Sequence, residues 1–264
     1  MGLLNKITEA LANRSPRPSP DELRQEIEDV TKNGRLHVRY QLPETLKAEL
    51  RFKDGSVAKV KNISYGGLGV ELNEKSNSDK LPRDELTEFV ALGQKMTFKV
   101  SLLRWLVTNE KTVFIGMAFC HDSHEGLHFL RLVIDGLRFG TSLSLLPDTI
   151  RKDTYKGTDW HCFRGEGPCD LLIRSNGEKI TQALLTFPWN GSYSEIAMIN
   201  DRISTGELAL DSPRADHRPS PQMQTSRRLN QETLVRAAWI LGSAPKAVQT
   251  CARPLLEKIL HHIG

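Results

Sequence analysis

Cysteine is scarce. The 264 residues hold four, Cys120, Cys162, Cys169 and Cys251, too few and too scattered for a disulfide framework, which points to a reducing compartment. Long apolar runs are missing as well: no stretch approaches the ~18 residues of a membrane span, and residues 1–11 lack the apolar core and small-residue cleavage site of an export signal. The expectation is a soluble, cytoplasmic protein without a transmembrane segment. An excess of one charge is also absent, since 36 Lys and Arg against 32 Asp and Glu leave a net +4. That is short of the basicity that dominates nucleic-acid binders, so nucleic acid is not an expected partner and any anion-binding function has to be local.

The sequence also lacks a Gly-x-Ser-x-Gly elbow, a Walker loop, a His-Glu-x-x-His pair and paired cysteine knuckles, and the expectation is that it is not an enzyme. His161, Cys162 and Cys169 invite a metal, but a six-residue gap between the cysteines departs from the two to four of structural zinc sites, so buried thiols and no metal are expected. His121 to His124 lies at a predicted helix start, where Asp122 or Ser123 serves as N-cap and no chemistry is assigned. What is present is core-forming material, 39% hydrophobic before the 19 glycines are counted, which excludes wholesale disorder.

Along the chain, Leu3, Leu4, Ile7 and Leu11 predict a short amphipathic helix, and the proline-rich residues 15–20 a stiff linker. Ser19 as N-cap, Pro20 and Glu22 then open a second helix with Leu23, Ile27 and Val30 on its stripe, ending at Gly34. Residues 45–52 alternate strictly, with Leu46, Ala48, Leu50 and Phe52 on one face, and Asp54-Gly55 marks a hairpin. Further strands at 68–72, 96–107 and 112–119 predict a small antiparallel barrel, flanked or plugged by a helix bearing Leu127, Leu130, Ile134 and Leu137. Strands at 170–174, 180–187 and 193–199 form a second, smaller β-rich unit. The reading is mainly β with helices, in five parts: helices and linker over 1–33, a barrel domain over 34–140, a small β-rich domain over 146–210, a mobile connection over 211–228, and a helical tail over 229–264 broken near Pro245 and Pro254.

Arg35 and Arg39 stand four apart. In an extended segment they project to one side about 13 Å apart, and in a curved loop they can converge on one anion. Guanidinium forks suit phosphate oxygens and the N7 and O6 acceptors of guanine. Asn62-x-Ser64-x-x-Gly67 supplies shorter polar groups at a strand end, where Gly66 and Gly67 permit positive φ and close backbone approach. Residues 31–62 carry eight basic and three acidic groups, a local excess of +5 that would steer a small anion.

These residues resemble the two-part signature of PilZ domains, bacterial receptors for cyclic di-GMP: Arg35-x-x-x-Arg39, a hairpin, then Asn62-x-Ser64-x-x-Gly67, with Gly116-Met-Ala-Phe119 similar to the family's late strand. The likeness spans residues 34–139. It implies a six-stranded antiparallel barrel whose arginines contact guanine and phosphate, and whose polar strand end contacts the other face of guanine. Those roles fall on Arg35, Arg39, Asn62, Ser64 and Gly67, with Gly66 as backbone support. The sequence departs from many strong binders at Gly34, where they carry a further arginine. The resemblance implies a cyclic di-GMP receptor without a cofactor, and the expected switch is closure of residues 34–41 over the ligand, which reorients the upstream helix and signals to the second domain or a protein partner. A PilZ-type adaptor that binds no nucleotide is the alternative, and an enzyme with a site in residues 150–210 the more distant one.

Overall fold

The computed structural model describes residues 38–73, 84–109, 112–120, 123–147, 159–177, 179–209, 224–226 and 229–264. The two helices expected before residue 34, the linker between them, Arg35, and most of the connection over 211–228 lie outside the described residues. The chain divides into two compact units between Arg138 and Phe139.

The first unit contains β1 (Tyr40–Gln41), β2 (Glu49–Arg51), β3 (Val57–Ser64), β4 (Gly67–Asn73), β5 (Asp84–Ala91), β6 (Gln94–Asn109) and β7 (Thr112–Cys120), followed by α1 (His124–Ser142), which belongs to this unit through Arg138. The strands run β3-β2-β5-β6-β7-β4, and β4 pairs back onto β3, so six antiparallel strands close into the barrel expected from the sequence. β1 adds to the open flank of β3. Closure removes the free edges that an open sheet would leave unpaired.

Residues 45–52 are not one strand. Glu44–Leu46 forms a 3-10 turn, Lys47 is left-handed at φ 45°, and only Glu49–Arg51 pairs as β2. The alternation still decides burial, because Leu46, Ala48, Leu50 and Phe52 all face the core. At the hairpin Gly55 takes φ 85° and the Ser56 amide donates to Asp54 Oδ1 at 2.8 Å. Helix α1 starts at Ser123, whose Oγ accepts from the Gly126 amide at 3.0 Å, the N-cap role the sequence offered to Asp122 or Ser123. Its Leu127, Leu130, Ile134 and Leu137 are all buried, and Phe129 meets Phe89 edge-to-face at 5.5 Å and Phe98 at 6.1 Å. The helix therefore plugs the barrel.

The second unit is a meander of antiparallel strands in chain order: β8 (Ser144–Leu145), β9 (Trp160–Arg164), β10 (Asp170–Asn176), β11 (Lys179–Trp189), β12 (Ser192–Ile199), β13 (Arg202–Ala209) and β14 (Gln224–Ser226). Helices α2 (Gln231–Ser243) and α3 (Lys246–Ile263) follow. Asn230 caps α2 by accepting from the Thr233 amide at 3.1 Å. The helix is buried around its whole circumference, so it is an internal helix of this unit. The expected break at Pro245 is present, but Pro254 sits inside α3, which continues through it. A proline removes one helical hydrogen bond, and the rest of the helix, anchored by buried Val248, Ala252, Leu255 and Ile259, outweighs that loss.

Glu195, central in β12 between Thr186 of β11 and Gly206 of β13, carries a carboxyl that burial pushes up to about 7. An acid that binds its proton more tightly when folded adds most to stability at low pH, and that contribution falls as pH rises from the unfolded value near ~4.3 to about 7. Glu195→Gln should therefore match wild type at about pH 4 and exceed it by about 3 kcal/mol at about pH 8 in urea denaturation. Equal stabilities at the higher pH would show that the carboxyl is solvated.

Candidate functional site

The polar strand end lies on the outside of the barrel, and a single extra residue in β3 puts it there. Ala58 and Val60 point inward, so strict alternation would send Asn62 and Ser64 into the core and Ile63 out. The register shifts between Val60, paired with Val70, and Asn62, paired with Gly69, leaving Lys61 as the bulged residue. Alternation restarts after the bulge: Ile63 enters the core, while Asn62 and Ser64 share the outer face with their partners Gly69 and Gly67.

The floor of this face is bare backbone. Gly67 and Gly69 of β4 pair with Ala118 and Gly116 of β7, and Gly67 also lies against Ser64. Gly67 approaches β7 so closely that a Cβ there would sit 2.0 Å from the Met117 carbonyl oxygen. Close approach is thus the reason for glycine at this position, and the other expectation, a positive φ at Gly66 or Gly67, is not met. The Gly66 carbonyl accepts from the Phe119 amide at 3.1 Å, and Ser64 Oγ donates to the Gly67 carbonyl at 3.1 Å, fixing the turn between β3 and β4.

Asn62 is 8% exposed and Ser64 5%. Among the described residues the Asn62 carboxamide has no hydrogen-bond partner, and its Nδ2 and Oδ1 still reach the surface. Its Nδ2 and Oδ1 lie over Gly69, each 2.8 Å from where a Cβ would be, and Phe114 Cζ is 2.5 Å from the same point. Gly69 and Phe114 are absent from the sequence-derived site. Gly67 and Gly69, two apart on one strand, were the available signal for a bare outer face; Phe114 is concealed in an apolar run that reads as core.

The structure brings Arg39 to the same face. Tyr40 pairs with Ile63 and Gln41 with Asn62, so the residue before Tyr40 stands across from Ser64. Arg39 is exposed and makes no ion pair among the described residues. Much of the surrounding positive charge is compensated instead: Lys59 donates to Glu44 at 2.5 Å, Lys61 lies 3.2 Å from Glu71, and Arg51 lies 3.4 Å from Glu49. The Lys59 hydrogen bond holds the Glu44 carboxyl below its usual range. Arg39, Asn62, Ser64, Gly66 and Gly67 thus lie together on the β1–β3–β4 surface; Arg35 is outside the described residues.

The chain is similar to two solved structures. One is the PilZ domain with c-di-GMP of YcgR from Escherichia coli, at 18% identity over 37% of this chain and 86% of that one, with a TM-score of 0.31. The other is the PlzA protein of Borreliella burgdorferi in complex with c-di-GMP, at 15% identity over 70% of this chain and 86% of that one, with a TM-score of 0.32. No family model and no curated protein matches the chain. TM-scores this low do not carry a functional assignment, which therefore rests on the residues of the barrel face.

Among the described residues no group of three or more His, Cys, Asp or Glu is placed to hold a metal ion. No described helix is long and apolar enough to cross a membrane.

Proposed function

We propose that this protein is a cyclic di-GMP receptor that binds the second messenger on the outer face of its barrel, without catalysis. The supporting observation is Asn62: a carboxamide with no hydrogen-bond partner among the described residues, whose polar atoms reach the surface over a floor of glycine backbone. A ligand presenting both donors and acceptors to this amide would gain about 0.5–1.5 kcal/mol per hydrogen bond. A guanine edge does so, with N–H donors for Oδ1 and a carbonyl acceptor for Nδ2. The bare floor lets a flat base approach the strands, and Arg39, without an ion pair among the described residues, supplies a charge for phosphate or for the guanine N7 and O6. Arg35 joins it by the family resemblance.

On this reading residues 34–140 form the ligand-binding domain of a bacterial cytoplasmic protein. Closure of the segment carrying Arg35 and Arg39 relays occupancy to the second domain or a protein partner. No cofactor, metal or nucleic acid takes part.

Calorimetric titration with cyclic di-GMP tests the reading. Wild type should bind, more weakly as salt is added, and Arg39→Ala and Asn62→Ala should each lose at least about tenfold in affinity, the value of one hydrogen bond to a charged or buried group. A flat titration of folded wild type would leave the adaptor role in its place.

A further inference from the structure

We infer that Phe114 is a positioning residue of this site: its ring, lying on the bare backbone of Gly69, holds the plane of the Asn62 carboxamide and so sets which base the site accepts. The inference rests on the cyclic di-GMP reading above. A side-chain amide is normally oriented by its hydrogen bonds, and among the described residues Asn62 has none. What surrounds it is packing. Both of its polar atoms and Phe114 Cζ crowd the one space above Gly69 that any larger residue would fill. Phe114 is one of the outward residues of β7, half-buried between inward Val113 and Ile115, and is paired with Glu71, one outward position along β4 from Gly69. Its ring therefore leans along the strand to reach the glycine, closing the end of the trough away from Ser64.

Orientation matters here because a carboxamide is two-sided. With Oδ1 toward the N1–H and Nδ2 toward the O6 of guanine it pairs; rotated by half a turn it presents donor to donor and rejects guanine, while matching the reversed N1 and 6-amino edge of adenine. A site that hydrogen-bonds a particular group discriminates strongly against the analogue lacking it. Freeing the amide should therefore cost discrimination of guanine from adenine more than it costs binding of the sugar-phosphate ring.

Titrations of cyclic di-GMP and of cyclic di-AMP, whose base edge reverses donor and acceptor, separate these contributions. Wild type should prefer cyclic di-GMP. Phe114→Leu should lower affinity for cyclic di-GMP by about tenfold or more while changing that for cyclic di-AMP much less, so that the preference shrinks. Gly69→Ala, whose methyl displaces the amide itself, should do the same, and it serves as the reading if Phe114→Leu does not fold. A preference left at the wild-type value in a folded variant, whether both affinities fall together or neither does, overturns the role of Phe114 and leaves the receptor intact. Wild type binding neither dinucleotide overturns the receptor reading and this inference with it.

Discussion

Gly67→Ala is expected to unfold the barrel at a temperature at least about 10 °C below wild type. The added methyl would stand 2.0 Å from the Met117 carbonyl oxygen, 3.0 Å from its carbon and 3.1 Å from the Ala118 Cα. All three are backbone atoms of β7, so no side chain can turn aside to relieve the clash. Relief requires β4 and β7 to separate by about 1 Å at a cross-strand pair, where hydrogen bonds and van der Waals contact are lost together. The seam is the one at which β4 closes the barrel between β3 and β7, and it carries the Gly66 to Phe119 and Ser64 to Gly67 hydrogen bonds. A loss of about 3 kcal/mol, ordinary for forced overpacking, corresponds to 10 °C or more in a domain of roughly a hundred residues. Circular dichroism melts of the two proteins decide it, and a shift under about 2 °C would mean that β4 and β7 leave room for a methyl group at residue 67. The same glycine thus serves stability and site: its close approach makes the floor flat enough for a base.

The outward position of the site was not legible from alternation. Residues 57–60 alternate, and carrying that pattern on through the signature sends Asn62 and Ser64 into the core; the bulge at Lys61 reverses it, and an inserted residue has no signature in a pattern of period two. Strand β5 escaped detection for a related reason. Asp84, Glu85 and Glu88 make it read as loop, its inward face includes the hydroxyl of Thr87, and Leu86 points outward. Thr87 Oγ1 donates to the Phe98 carbonyl at 3.3 Å, so the polar core position is satisfied by its hairpin partner β6 and not within its own strand. By contrast Leu46, Ala48, Leu50 and Phe52 were legible as buried even though the backbone around them is a 3-10 turn and a short strand, because burial follows the side-chain period. Phe114 and Gly69 illustrate the opposite limit. Their meeting depends on pairing β4 with β7 across some forty residues of chain, which no local pattern encodes.

Arg236 lies in α2 at 1% exposure, with its guanidinium 3.7 Å from the centroid of the Trp189 ring and 5.8 and 5.9 Å from those of Phe139 and Phe187. Trp189 in turn donates its indole N–H to Glu232, one turn earlier on the same helix, at 2.5 Å. The stack fixes the helix to β11. Burial pushes the nearby Cys169 thiol up strongly, with the charge of Arg236 acting in the opposite direction. Arg236→Ala removes the stacked group and leaves a void among three aromatic rings, and it should destabilise the second unit by about 3–5 kcal/mol. Arg236→Met keeps most of the volume against Trp189 and deletes a charge whose desolvation is costly, so it should lie within about 1.5 kcal/mol of wild type. Urea denaturation followed by tryptophan fluorescence reads both. Two variants equally destabilised would show that the charge, through its electrostatic contacts, and not the packed volume, holds α2 in place.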